Sequence, residues 1–332
     1  MNIPELPLSV LILVVMALIF DYMNGFHDSS NIVATMIASR ALSGRAALTI
    51  TAIAEFSGPF LFGVAVATTL GQDVLHVSVI KVYVIQAALG AAIAWDLITW
   101  WFGFPSSSSH ALIGGLIGAA VIEDGLGVIK LEGLGKVIVA LAISPPIGFL
   151  VGWLVLKAVL FLARNSGPSI NTFFKRSQIV TAVALALSHG TNDGQKTMGV
   201  ITMGLVAGGV LPEFQVPLWV IALSATAISR GTATGGWRLI RTLGGKFFKV
   251  RPVHGFGTQI ASASVILGAA MLGGPVSTTQ VVSSAIMGVG SAERLSKVRW
   301  GVAQQIVAAW LTTIPVSGVL AAGVAVVLQK LQ

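Results

Sequence analysis

The sequence predicts an all-α polytopic membrane protein of about 10–12 membrane segments, arranged as two inverted-topology repeats with broken helices and re-entrant hairpins. Three observations predict this class. The 332 residues are 55% hydrophobic and only 10% charged, with a mean hydropathy of +0.89, whereas soluble domains carry roughly 25% charged residues. Several apolar runs reach the ~20 residues that a bilayer crossing requires. Two polar, glycine-marked stretches, NGFHDSSNIVATM (24–36) and LSHGTNDGQKTMG (187–199), interrupt apolar runs at matching places in the two halves.

Composition also excludes several classes. The chain has no cysteine, so it makes neither disulfides nor thiolate metal sites. Its net charge of +8 is spread over short loops between apolar runs, as in the cytoplasmic loops of membrane proteins, so no nucleic-acid partner is expected. The first run, Leu6 to Phe20, follows an acidic Glu5 and precedes no small-residue cleavage site, so no cleavable signal is expected. There is no Walker loop, no GxSxG turn and no zinc-ligand spacing. The pattern is not that of an enzyme, and no cofactor is expected.

Taken in order, the apolar segments fall at about 6–23, 28–40, 46–70, 79–103, 106–122, 137–163, 178–188, 194–211, 215–231, 256–272, 276–290 and 301–328. Those at 28–40, 106–122, 194–211 and 276–290 are short and begin at polar or proline-containing breaks. They read as half-helices or re-entrant arms. The basic residues lie in four loops: Arg40 and Arg45; Arg164, Lys175 and Arg176; Arg238, Arg241, Lys246, Lys249 and Arg251; and Arg294, Lys297 and Arg299. By contrast, 71–78 has no basic residue, and 123–135 sets three acids against Lys130. Placing the basic loops inside puts both termini on the extracytoplasmic side of an inner or plasma membrane. The chain then divides into a first repeat (1–163), a central cytoplasmic loop (164–177) and a second repeat (178–332).

The repeat rests on spacing. Asp28 and Asp193 are 165 residues apart, and Pro105 of FPSSSSHALIGGLIGA is 170 residues from Pro275 of GPVSTTQVVSSAIMGVG. The loop charges make the first Asp motif entered from outside and the second from inside, which inverts the repeats. Matched helix breaks meeting near the bilayer midplane are a transporter architecture. Backbone freed by such a break cannot face lipid, and a charge at that depth costs several kcal/mol unless partnered. Two breaks in register therefore read as two halves of one ligand site.

Each candidate residue has a chemical reason. Ser106, Ser107, Ser108 and Ser109, like Ser277, Thr278 and Thr279, follow a proline and precede small residues. Such hydroxyls cap a helix start, and free N–H groups at the positive dipole end bind an anion. Asp28 and Asp193, with Asn31 and Asn192 nearby, would repel an anion unless they hold a cation or a proton, so they are candidates for the coupling-ion site, and for metal ligation if sodium is the ion. Lys196 stands three residues after Asp193, where the first motif has Asn31. It either pairs with Asp193 or replaces a metal cation with a fixed positive charge. Glu55 and Asp96 lie inside apolar segments and are candidate proton carriers or polar clasps. Gln259 is a third intramembrane polar group. His27, His110 and His189 fit either a proton relay or structural hydrogen bonding.

Together, NGFHDSSN, SHGTNDGQKTMG, PSSSSHALIGGLIGA, GWRLIRTLG and PVSTTQ resemble the duplicated signature of the inorganic phosphate transporter (PiT) family, and the GQK form resembles its bacterial low-affinity branch. The resemblance runs from about Asn24 to Pro315. It implies secondary active symport of phosphate with protons or sodium, no ATP hydrolysis, inverted repeats around the substrate, and a homodimer. By matching position it implies roles for Asp28, Asn31, Asn192 and Asp193 in the signature motifs and for the Ser/Thr runs in the hairpin tips. Glu55 and Gln259 match positions that are acidic in many relatives. The sequence departs from the family pattern at His27, Lys196, Gln259 and Gln280, which weakens the transfer of a sodium site. Relatives with the GQK form are regarded as proton-coupled, some carrying metal–phosphate complexes. A sulfate permease remains the alternative within transport, and an anion channel the alternative outside it.

Overall fold

The computed structural model describes residues 4–76, 80–245 and 249–330, so Lys246 of the most basic loop lies outside the described residues. The described chain is helical throughout. Its elements are α1 (Leu8–Ala38), α2 (Gly44–Leu61), α3 (Ala65–Thr68, continued by a π turn over Thr69–Asp73), α4 (Val82–Phe102), α5 (Ser108–Asp124), α6 (Leu131–Leu162), α7 (Ile170–Ala207), α8 (Leu218–Thr234), α9 (Trp237–Gly245), α10 (Pro252–Met271), α11 (Thr278–Glu293) and α12 (Trp300–Gln329). Four of them, α1, α4, α6 and α12, are long and apolar enough to cross a membrane, and α2 with α3 and its π turn makes a fifth as one bent span. Of the others, α5, α8, α9 and α11 are shorter, at 17, 17, 9 and 16 residues, while α7 and α10 carry many buried polar residues that lower their hydropathy.

Two of the expected breaks are present. After α4 the chain turns at Gly103 (φ 70°), runs extended past Pro105 and restarts as α5. After α10 it turns at Gly273 (φ 71°), passes Pro275 and restarts as α11. Glycine tolerates this left-handed backbone without a Cβ clash. Ser107 and Ser277 cap the two new helices, accepting the N–H of His110 at 3.2 Å and of Gln280 at 3.3 Å. Each hairpin is also tied at its open end, by Lys81 to Glu123 at 2.5 Å and by Arg251 to Glu293. The Glu123 hydrogen bond raises the exposed Lys81 ammonium above its ordinary range.

The other two breaks are absent. Residues 28–40 and 194–211 are not half-helices: the Asp28 and Asp193 motifs lie inside the continuous helices α1 and α7. Hydroxyls there bond back to their own helix, Ser29 to the Phe26 carbonyl, Ser30 to that of His27 and Thr191 to that of Leu187, so backbone pairing persists. The glycines serve close approach instead. A Cβ on Gly25 would collide with the Ile228 carbonyl of α8, and one on Gly190 with the Glu55 carbonyl of α2. Small residues at such crossings let helices pack backbone to backbone. Gly190→Ala is therefore expected to destabilise the protein by about 1–3 kcal/mol. Gly301→Ala, whose Cβ meets open space, should melt with the wild type in a detergent thermal-unfolding comparison.

The break that occurs unforeseen lies in 46–70, where α2 and α3 meet at 72°. Gln195 of α7 repairs it, accepting from the N–H groups of Val66 (2.8 Å) and Ala67 (3.3 Å) and donating to the Gly63 carbonyl (2.7 Å). A buried break needs such partners because no water supplies them. Two loop expectations also change. Residues 170–177 form the first turns of α7, and Arg238 and Arg241 lie on α9, which buries Leu239, Ile240 and Leu243. Arg238 donates to the Trp101 carbonyl and lies 4.8 Å from that indole.

Packing has a regular plan. Helix α1 packs on α8 and α7 on α2, while α5 packs on α12 and α11 on α6. Exchanging the two halves leaves this plan unchanged. Helices α1 and α7 run antiparallel: Val10 meets Gly208, Leu13 meets Gly204, and Ser39 bonds Gln178 at 2.9 Å. Asp28 and Asp193 sit at their crossing. Two apolar cores flank this polar layer, one around Leu13, Phe20, Leu89 and Leu112, the other around Ile32, Met36, Leu156 and Ile286.

Candidate functional site

The crossing of α1 and α7 brings the two Asp motifs against the two hairpin tips. Every sequence-predicted site residue is buried, His110 being the most exposed at 8%, so the site is occluded. Thr278, the first residue of α11, places its hydroxyl 2.9 Å from Asp28 Oδ2 and 2.9 Å from Asp193 Oδ2. One hydroxyl carries one hydrogen. It can donate to one carboxyl only, and a proton on the other carboxyl, donated back to the Thr278 oxygen, would match the second contact. Thr279 donates to Asp28 Oδ1 at 2.9 Å and accepts from the Asn31 amide at 3.0 Å.

On the α7 side, the Lys196 ammonium lies 2.5 Å from Asp193 Oδ1, 2.5 Å from Ser109 Oγ and 2.7 Å from the Val276 carbonyl. Both hairpin tips thus meet at this lysine. Asn192 reaches the second tip, donating to the Gly274 carbonyl at 3.2 Å. His189 connects the Asp pair to α2. Its Nδ1 is 2.5 Å from Glu55 Oε1, and its Nε2 faces Asp193 Oδ2 at 3.3 Å and Asp28 Oδ2 at 3.5 Å. Asp28, His189 and Asp193 each offer a ligand atom within 4.8 Å of the others, an arrangement able to hold a small cation.

The anion-binding elements are the starts of α5 and α11. The N–H groups of Ser108, Ser109, Thr278 and Thr279 precede the first intrahelical donors, and two buried positive dipole ends converge there. The Ser108 hydroxyl has no partner among the described residues. The remaining serines have other tasks: Ser106 bonds Thr99 at 2.7 Å, while Ser107 and Ser277 are the caps.

Three predicted residues lie off the centre. Gln259 accepts from Thr181 at 2.5 Å and points its amide at Thr35 (3.5 Å), a clasp between α10, α7 and α1. Asp96 is buried beside His27 and Ser108, with neither oxygen hydrogen-bonded. His110 contacts Ser107 at 2.7 Å and Gln280 at 3.5 Å, joining the two tips rather than the Asp pair. His27 adjoins Asp28 at 3.1 Å.

One buried acid escapes the sequence reading, and one of the three candidate histidines is singled out only by the structure. Asp21 of α1 is fully buried with both oxygens unpartnered and lies against Thr197. Its signal was the one that marks Glu55 and Asp96, an acid inside an apolar run. The connecting role of His189 has no sequence signal, since spacing does not distinguish it from His27 or His110.

Comparison with known proteins adds the family. The model of a phosphate transporter family matches residues 24–166 and 160–321. A "Probable low-affinity inorganic phosphate transporter" of Bacillus subtilis (strain 168) is 42% identical over 316 residues, 94% of this chain and 95% of its own. Its namesake in Rhizobium meliloti (strain 1021) is 43% identical over 312 residues, 93% of each. Among solved structures, a sodium-dependent phosphate transporter is similar with a TM-score of 0.88 at 25% identity, over 98% of this chain and all of that one.

Proposed function

Since the chain belongs to the phosphate transporter family, we propose that it is a secondary active symporter importing inorganic phosphate with protons, by alternating access. The observation that carries this reading is the Thr278 hydroxyl shared between Asp28 and Asp193. It supports a site for one exchangeable positive charge beside two helix N-termini suited to an oxyanion. Ser108, Ser109, Thr278 and Thr279 would bind the phosphate, with Asn31 and Asn192 orienting the tips. The Asp pair, His189 and Glu55 would carry the coupling charge. Asn31, Asn192, Asp28 and Asp193 all bond residues of the tips, so a tip withdrawing towards either face breaks several bonds at once.

The antiparallel run of α1 and α7 and the exchangeable packing plan support two inverted repeats (1–163 and 178–332). The basic loops support an inner-membrane orientation with both termini extracytoplasmic. A homodimer, and cargo in the form of a metal–phosphate complex, belong to the same reading by family resemblance. Sodium coupling is the second reading, favoured by the sodium-dependent solved relative.

Proteoliposomes separate these alternatives. Uptake of labelled phosphate is expected to follow an imposed inward proton gradient and to be indifferent to replacing sodium with choline. Uptake driven by sodium alone without pH dependence overturns proton coupling. Abolition by excess sulfate but not by excess phosphate overturns the substrate, and current following the anion gradient alone indicates a channel.

A further inference from the structure

We propose that the Lys196 ammonium is a built-in cation: it fills an ion-coordination shell in the second half of the site, and that shell therefore takes up no exchangeable ion. The inference rests on the cation-coupled reading above and specifies how many cation positions remain open.

The shell is defined by its donors. Around Nζ stand a carboxylate oxygen (Asp193), a hydroxyl oxygen (Ser109) and a backbone carbonyl oxygen (Val276), at 2.5, 2.5 and 2.7 Å. Hard cations take this oxygen set, and coupling ions of inverted-repeat transporters sit on unwound carbonyls of just this kind. Val276 lies in the extended stretch between α10 and α11, so its carbonyl is free of a helix. Three elements contribute, α7, the first tip and the second tip. Lys196 reaches in from α7 with its side chain 2% exposed.

Donor arithmetic excludes the other role open to a lysine beside an anion site. An ammonium has three N–H donors, and three acceptors already hold them. In this conformation none remains for an oxyanion. Lys196 acts here on cation specificity and not as a phosphate ligand.

The other half provides the contrast. Asn31 stands three residues after Asp28 as Lys196 does after Asp193, and it bonds Thr279, the counterpart of Ser109. The Asn31 Oδ1 atom is buried with no partner among the described residues. A neutral amide with an idle acceptor beside a carboxylate leaves that position open to an exchangeable cation. One half holds a permanent charge and the other a replaceable one.

Lys196→Asn restores the pattern of the first half and tests the inference. The purified variant is expected to gain a saturable stabilisation by sodium chloride over choline chloride, a rise in Tm of about 2 °C or more at tenfold excess over Kd. The wild type, Lys196→Arg and Lys196→Met should lack this increment beyond whatever the first-half position gives. In proteoliposomes, Lys196→Asn is expected to show uptake stimulated at least several-fold by sodium. The melting readout involves no transport, so it stands even where phosphate or proton coupling fails. A folded Lys196→Asn that is indifferent to sodium overturns the inference, as does a wild type stabilised equally. Should the variant not fold in either salt, radiolabelled sodium binding to the wild type decides: one ion or none per chain supports the proposal, and two or more overturn it.

Discussion

Replacing Asp193 with alanine is expected to abolish phosphate uptake and to destabilise the folded protein by about 3–5 kcal/mol, the cost of leaving a buried charge without its partner. Asp193 Oδ1 lies 2.5 Å from Lys196 Nζ, and its Oδ2 receives Thr278 and faces His189. After truncation the ammonium keeps only a hydroxyl and a carbonyl, neither carrying charge. Water cannot compensate, because both partners are almost fully buried. The double variant Asp193→Ala/Lys196→Met removes both charges, and replacing a buried pair with apolar groups is often close to neutral. It should therefore recover most of the lost stability, and the coupling between the sites is read as the departure from additivity. Uptake should not recover, since Thr278 then has only Asp28 to bridge. Thermal unfolding in detergent and uptake in liposomes measure the two halves of this result. A single variant that melts with the wild type would show that Lys196 is not held by Asp193.

The parts legible in the sequence were those written in local backbone chemistry. Gly103, Pro105 and Ser107, and again Gly273, Pro275 and Ser277, give a left-handed stop, a proline and a cap in order, and hairpin tips form at both places. Their meeting with the Asp motifs was legible too, because unpartnered charges inside apolar runs must find company. The same physics misled at Gly25 and Gly190. A glycine in a polar stretch reads equally as a break or as a contact surface, and only the helix across from it, α8 or α2, decides which. The bend between α2 and α3 was hidden for the opposite reason: its stabiliser, Gln195, is over a hundred residues away in the chain. Helix α9 looked like a loop because its apolar face spans only three residues. Gln259 matched a coupling position by resemblance, and its bonds to Thr181 and Thr35 give it the contacts of a clasp as well.

Glu55→Gln is expected to lower proton-driven phosphate uptake by about 10- to 100-fold, matching the loss of a hydrogen bond to a charged group, about 1.5–3 kcal/mol. The fold should be retained. Glutamine has the size of glutamate and keeps an acceptor for His189 Nδ1, now 2.5 Å from Glu55 Oε1, and the Gly190 crossing on the Glu55 backbone is untouched. What glutamine cannot do is take up a proton. His189 has one nitrogen on Glu55 and the other facing Asp28 and Asp193, so a charge gained at the Asp pair is felt at Glu55 through a single imidazole. Cutting that connection should separate coupling from binding. Exchange of labelled for unlabelled phosphate, which needs no net proton movement, should persist in Glu55→Gln, whereas net uptake should lose its rise with falling external pH. If net uptake keeps its wild-type pH slope, Glu55 is outside the proton path. If exchange vanishes together with net uptake while the variant melts normally, Glu55 instead shapes the phosphate site, and the shared charge is confined to Asp28, His189 and Asp193.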